Sequence, residues 1–353
     1  MIESGQSGVL WMDAILCAML LWASAMPAWS AEASARPAER KTGLVYSPVY
    51  LEHETAPSHP EQAVRLEAIM RRLKESGLTE KLQLIEPREA EERWLTAIHS
   101  PRYIARAKAA CADGDAYLDT GDVSICPRSC DVAIKAAGGV LAAVDAVMEG
   151  RAANAFCAIR PPGHHAMKDQ AMGFCIFNNI AIAARYIQNR HKLQRVLIVD
   201  WDVHHGNGTQ AAFNDDPTVF YFSIHRSPFY PGTGEESETG TGKGKGTKLN
   251  ITMRAGAGDA DYINAVNAKL IPAAKQFKPD FVLVSAGFDA HEVDPLGGMK
   301  LTSGCYGQLT RIVKQIADES CGGRLVAVLE GGYNPRALGE SVEAHIRVLM
   351  ERK

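Results

Sequence analysis

The chain has 353 residues, 46% of them hydrophobic and 22% charged, with a formal net charge of −3. This is an ordinary globular balance, long enough for one large α/β domain or two modest ones. It leaves no basic footprint for a nucleic-acid backbone, so no nucleic-acid partner is expected.

Residues 14–29 form an apolar run that contains Pro27 and is too short for a comfortable transmembrane helix. Small residues follow at Ala28-Trp29-Ser30 and Ala31-Glu32-Ala33, so residues 1–30 read as an export signal. The n-region is atypical, with Glu3 and Asp13 and no Lys or Arg; a misassigned start or an uncleaved anchor is the competing reading. Residues 31–41, rich in Ala, Glu, Arg and Pro, read as a linker, and 42–353 as the folded domain. The expected location is periplasmic or secreted, with no stable membrane span in the mature form and a cytoplasmic location as the alternative. Eight cysteines show neither C-x-x-C nor zinc-finger spacing and are expected to be free thiols, mostly buried; Cys126 and Cys130 have no assigned role.

Gly43–Tyr46 reads as the first strand. A helix is expected over Glu61–Gly77, where Leu66, Ile69, Met70 and Leu73 form an apolar stripe. Ser100-Pro101 is a helix start, with Ser100 as N-cap; residues 111–130 read as loop and Asp131–Met148 as an Ala-rich helix. Beyond this the pattern is regular. Strands at Ala155–Ile159, Val196–Val199, Val219–Phe222, Phe281–Val284 and Leu325–Leu329 alternate with helices at Asn179–Ile187, Asp259–Phe277 (bent at Pro272), Cys305–Ala317 and Ser341–Met350. Unbroken apolar strands alternating with helices predict a parallel sheet covered on both faces.

Each of these five strands runs at once into a polar or glycine-rich cluster. The clusters are Arg160–His165, Asp200–Gly208, Ser223–His225, Ser285–Asp289 and Glu330–Tyr333. Ligands of open α/β sheets bind outside the carboxyl ends of the strands, so the five are expected to converge. An isolated Asp-x-His at a strand end is as readily a hydrogen-bonded pair. In this company, however, Asp202, His204 and Asp289 make three N/O ligands that leave a metal an open position. His164 and His165, after a stiff Pro-Pro-Gly turn, are acid–base candidates, and Asp200 and Asn207 are their orienting partners. Tyr333 offers a phenol to a developing oxyanion. Gly173-Phe174 and Phe229-Tyr230 are candidate walls of a narrow apolar channel.

Six runs resemble the zinc-dependent histone deacetylase family, class II, over residues 42–353. They are Arg160–Ala166, Gly173–Asn179, Val199–Thr209, Ser285–Asp289, Asp294–Gly298 and Glu330–Tyr333. The resemblance implies a three-layer α/β fold of the arginase/deacetylase type and hydrolysis of an N-acetyl amide. It implies Zn2+, one per chain, on Asp202, His204 and Asp289, and an acid–base pair of His164 and His165 backed by Asp200 and Asn207. Class I members carry Asp where this chain has Asn207, so the second imidazole is expected to be less basic. Tyr333 matches the transition-state tyrosine, which the catalytically weak class IIa branch replaces by His. Also implied are Asp122 on the substrate backbone, Tyr230 where many relatives have Phe, and a structural K+ or other monovalent cation on carbonyls around Asp200 and Asp202, with Ser223. Leu296 stands where polyamine-preferring relatives carry Glu. The expected partner is therefore an acetylated lysine peptide, with a small acetyl-amine as the alternative.

Two other classes compete. A binuclear ureohydrolase on the same fold needs a second Asp two residues after Asp289, and position 291 is His. A non-catalytic acyl-lysine-binding module would be marked by missing ligands, and none is missing. The glycine-rich stretch 232–246 has no Gly-Lys-Ser/Thr ending and opens no helix, so it reads as a rim loop. His53, His59 and His99 are further rim candidates.

Overall fold

A computed structural model describes residues 40–351. The expected export signal and all but the end of the expected linker lie outside these residues. In chain order, β1 (Gly43–Val45), α1 (Val64–Glu75), β2 (Gln83–Ile85), α2 (Glu92–Leu95), α3 (Pro101–Asp113) and α4 (Ser129–Met148) lead to β3 (Ala155–Cys157). There follow α5 (Asn179–His191), β4 (Val196–Asp200), α6 (Asn207–Ala212), β5 (Val219–Arg226), β6 (Lys248–Met253), α7 (Asp259–Phe277), β7 (Phe281–Ala286), α8 (Ser303–Cys321), β8 (Leu325–Leu329) and α9 (Pro335–Leu349).

The eight strands form one sheet in the order β2-β1-β3-β8-β7-β4-β5-β6, and every pairing is parallel. β4, β7 and β8 are buried at every position, as strands covered on both faces must be. Because all strands run one way, the segments after β3, β8, β7 and β4 leave from one sheet edge as consecutive neighbours. That fact builds the site.

Local chemistry sets the helix ends. The Ser100 hydroxyl accepts from Tyr103 N at 3.2 Å and Pro101 occupies the first turn, while Gly114 closes α3 in the left-handed region at φ 77°. Asn178 caps α5 and Asn334 caps α9, each accepting an N–H three residues on. α1 is shorter at both ends than the periodicity predicts, and Gly77 lies beyond it with φ +64°. The expected 111–130 loop is helical at both margins, because α3 continues to Asp113 and α4 begins at Ser129. α7 continues through Pro272. β5 extends to Arg226, so Ser223 and His225 belong to the strand and not to a loop after it. α9 begins at its Asn-Pro cap, six residues before Ser341.

Among the described residues no helix is long and apolar enough to cross a membrane. Seven described cysteines are free, six of them buried; Cys126 is half-buried and its thiol donates to the Glu52 carbonyl.

Candidate active site

β4 delivers Asp200 at its last position, and the next four residues carry Asp202 and His204. β7 delivers Asp289 three residues past its end, and β8 delivers Glu330–Tyr333. Donor atoms of Asp202, His204 and Asp289 all lie within 4.8 Å of one another, and all three residues are buried. His204 Nδ1 is 3.0 Å from Asp202 Oδ1 and 3.2 Å from Asp289 Oδ2. Asp289 Oδ1 accepts from Val203 N, but its buried Oδ2 accepts no hydrogen bond despite the short approach to His204. Two buried carboxylates thus converge on one imidazole with an oxygen that makes no hydrogen bond of its own, the N/O donor set a metal ion takes. These residues therefore fit a metal ion.

Two glycines make the space. A Cβ on Gly331 would come 2.1 Å from Asp289 Oδ2 and 2.7 Å from Asp202 Oδ2; one on Gly287 would come 2.1 Å from Asp202 Oδ2. Gly331→Ala is accordingly expected to weaken metal binding by about 10–100-fold, the usual effect of disturbing ligand orientation, as read by chelator competition.

The imidazole pair sits on the loop after β3. Glu330 Oε2 accepts from Gly163 N at 2.7 Å and His164 N at 3.2 Å, while Oε1 accepts from Ser285 Oγ at 2.9 Å. His164 Nδ1 pairs with Asp200 Oδ2 at 3.0 Å, and the Tyr221 hydroxyl donates to that same oxygen at 2.9 Å. His165 Nδ1 donates to Asn207 Oδ1 at 2.7 Å. The Asn207 amide nitrogen faces the sulfurs of Met167 and Met172, both at 3.3 Å, which fixes the amide with its oxygen toward His165. His165 Nε2 is thereby left free for the cavity that the residue lines.

The two imidazoles are pushed to opposite protonation states. Burial opposes charge on His164, but the Asp200, Asp202 and Glu330 carboxylates outweigh it and lift the group to about 10. His165 is held well below its ordinary value by burial and by the positive His164 and His204. The cause lies in burial first and the neighbouring imidazoles second, whereas the Asn207 hydrogen bond favours the charged form. Burial and the Asp202 charge raise Asp289; Asp202 is lowered because positive His164 and His204 overcome its burial. Burial, then Asp289, keeps the Tyr333 phenol protonated.

These groups open onto a cavity of about 320 Å³ lined by Asp122, His165, Gly173, Phe174, His204, Tyr230, Leu296 and Tyr333. Phe174 holds φ +67°, strained for an aromatic residue, and meets Tyr333 edge-on at 5.7 Å between centroids. Gly173 at φ +57° lies so near His165 that a Cβ would come 2.2 Å from the ring. Phe229 stacks on His204 at 5.0 Å. Asp122 Oδ2 already accepts from Gly173 N at 3.0 Å and the Tyr230 hydroxyl at 3.1 Å, and the Thr120 hydroxyl donates to Oδ1. Tyr230 thus does more than preserve a wall: its hydroxyl bridges the cavity mouth to Asp122.

The sequence-predicted metal-ligand, acid–base, tyrosine and channel residues therefore all lie on this cavity or directly behind it. Of the rim histidines, only His59 reaches the rim, its ring 4.6 Å from Phe174. His53 is buried on Ser129 and Glu61, and His99 is buried between Met167 O and Asn178 N; both are structural. Sequence reasoning missed Tyr221, the anchoring roles of Glu330 and Asp294, and Arg65. Asp294 Oδ2 accepts from Tyr333 N at 2.7 Å, and Oδ1 accepts from Leu296 N and Gly297 N. Arg65 donates to Gly332 O at 2.7 Å with its guanidinium 5.0 Å over the Tyr333 ring.

A family profile described as "Histone deacetylase domain" matches residues 59–349. A "Probable deacetylase" of Archaeoglobus fulgidus is 40% identical over 295 residues, covering 83% of this chain and 81% of that protein. Human "Polyamine deacetylase HDAC10" is 40% identical over 301 residues, covering 82% of this chain and 44% of that protein. The crystal structure of an HDA15 HD domain superposes with a TM-score of 0.84 at 38% identity, covering 88% of each chain. With its ligand set, imidazole pair and tyrosine on one sheet edge, this chain belongs to the histone deacetylase domain family.

Proposed function

We propose that the chain is a zinc-dependent deacetylase that removes an acetyl or related acyl group from an N-acetyl-lysine-like amide. The observation that carries this reading is the convergence of Asp202, His204 and Asp289 with a neutral His165 and a protonated Tyr333 around one narrow cavity. An imidazole and two carboxylates are a donor set suited to Zn2+, which when bound supplies Lewis acidity toward the acyl oxygen and acidifies water. His165 Nε2 takes the proton of the attacking water and returns it to the departing amine nitrogen, while His164 stays an imidazolium held by Asp200. The Tyr333 phenol donates to the oxygen that becomes negative as the carbonyl is attacked. Phe174 and Tyr230 flank an extended acyl-lysine-like chain and exclude water.

A turnover panel of acetyl-lysine peptide, acetylspermidine and longer-acyl lysine peptides, run on zinc-loaded protein, tests the reading. Acetyl-lysine peptide is expected to have the highest kcat/KM, and absence of turnover on all three would leave only a binding module. Leu296, about one-third exposed on the rim, offers no charge to a polyamine. Leu296→Glu is expected to raise the acetylspermidine/acetyl-lysine ratio of kcat/KM by about five-fold, the size of a solvent-screened charge pair. The binuclear reading is less well supported, because the His291 ring bonds Ser303 and among the described residues one ligand cluster is found.

Two further parts of the reading have their own tests. Ser223 stands opposite Asp200 in the β4–β5 ladder, which supports a K+ or other monovalent cation on the carbonyls there. K+-dependent stabilisation abolished by Ser223→Ala would bear it out. Export through residues 1–30 predicts a mature N-terminus near residue 31, read by N-terminal sequencing of the cell-fractionated protein.

A further inference from the structure

Asp122 carries the one carboxylate among the residues that line the active-site cavity. It lies at the mouth with Tyr230 and Leu296, which are 39% and 36% exposed, whereas His165 and His204 are buried deeper in. A carboxylate offers about four lone-pair positions. Here three are met from within the chain: Oδ2 accepts from Gly173 N at 3.0 Å and from the Tyr230 hydroxyl at 3.1 Å, and Oδ1 accepts from the Thr120 hydroxyl. The residue is also held by its backbone. His59 Nδ1 accepts from Glu61 N at 3.1 Å, so its Nε2 carries the proton and donates to the Asp122 carbonyl at 3.1 Å.

The Tyr230 ring is placed just as firmly. It meets His165 edge-on at 5.2 Å and His204 edge-on at 6.0 Å between centroids, and from there its hydroxyl reaches Asp122. Burial, then the Asp122 charge, keeps the phenol protonated and therefore a donor. A phenyl ring at this position would make the same wall. What the hydroxyl adds is occupancy of an acceptor at the mouth, where the backbone of a peptide must pass if its lysine side chain is to enter.

We propose that the Tyr230–Asp122 hydrogen bond is a specificity latch, which withholds Asp122 from the backbone N–H groups of a peptide substrate. The enzyme then reads the acyl-lysine side chain and little of the chain on either side of it; this rests on the acyl-lysine reading above. The internal donor wins because both partners are already in place. A substrate N–H must be ordered at the mouth and give up its water before it can make the same bond.

The test compares zinc-loaded wild type and Tyr230→Phe on an acetyl-lysine peptide and on its depsipeptide. In the depsipeptide, ester oxygens replace the backbone N–H of the acetyl-lysine and of the residue after it. Wild type is expected to show KM values for the two within about two-fold, since neither N–H finds Asp122 open. In Tyr230→Phe the ratio of depsipeptide KM to peptide KM is expected to rise about five-fold, the size of one net hydrogen bond. Because a ratio is read, any general effect of the substitution on the channel wall cancels. An unchanged ratio in the variant, or a wild type that already favours the peptide by about five-fold, would overturn the latch and leave deacetylation standing. Wild type that turns over neither substrate would instead defeat the acyl-lysine reading. The same ratio, taken from dissociation constants by fluorescence anisotropy, would then decide the latch.

Discussion

Tyr333→Phe is expected to lower kcat on an acetyl-lysine peptide by about 10²–10³-fold, the usual cost of losing one oxyanion donor, with KM within a few-fold. The reason is that the ring's position does not depend on its hydroxyl. Asp294 holds the Tyr333 backbone N–H, Arg65 covers one face, and Phe174 meets the ring edge-on. Phe keeps those contacts and loses only the O–H. Burial keeps that O–H protonated, so the donor is present across the working pH range. Steady-state kinetics with a metal assay on the same sample give the answer; a loss below about five-fold would mean the phenol does not serve the transition state.

Asp289→Ala is expected to cost more, dropping turnover by over about 10³-fold, because it removes a ligand from a set of only three. It also strands Val203 N, whose acceptor is Asp289 Oδ1 at 2.9 Å. Stripping the wild type with a chelator should match the loss of turnover, since it removes the group that the three side chains would hold. It should also lower Tm by several degrees, because metal binding is folding free energy in such sites. Zinc should restore activity to the stripped wild type and not to the variant. Activity that survives both treatments would separate the chemistry from these residues.

The centre was legible in the sequence because each polar cluster directly follows an apolar strand. Parallel pairing then does the assembling: β3, β8, β7 and β4 are neighbours, so His165, Tyr333, Asp289 and Asp202 meet without help from the loops. What was not legible depends on partners far along the chain. Glu330 gave one sign, a carboxylate set immediately after Leu325–Leu329, but its acceptor role toward Gly163 and His164 spans more than 160 residues. Arg65 is a charge beside the buried Leu66 and Ile69, a misfit on an apolar face explained by Glu61 one turn back and by the distant Glu330 and Gly332 carbonyls.

Among the elements, β2 and α6 are too short for a period to register, with three and six residues. β6 was hidden because its first residue is a lysine that follows a glycine-rich run, and burial of that lysine rests on carbonyls no pattern displays. The α9 boundary is different in kind. Asn334-Pro335 is a helix-start signal, and it lies ahead of the expected start at Ser341.

Anomalous diffraction from zinc-loaded crystals, collected on both sides of the zinc edge, tests the centre most directly. The expected map has one zinc peak per chain at this site, about 2.0–2.2 Å from donor atoms of Asp202, His204 and Asp289, with an open position facing Tyr333 and His165. Two metal peaks in the site, or a single peak that any of those three side chains does not reach, would contradict it.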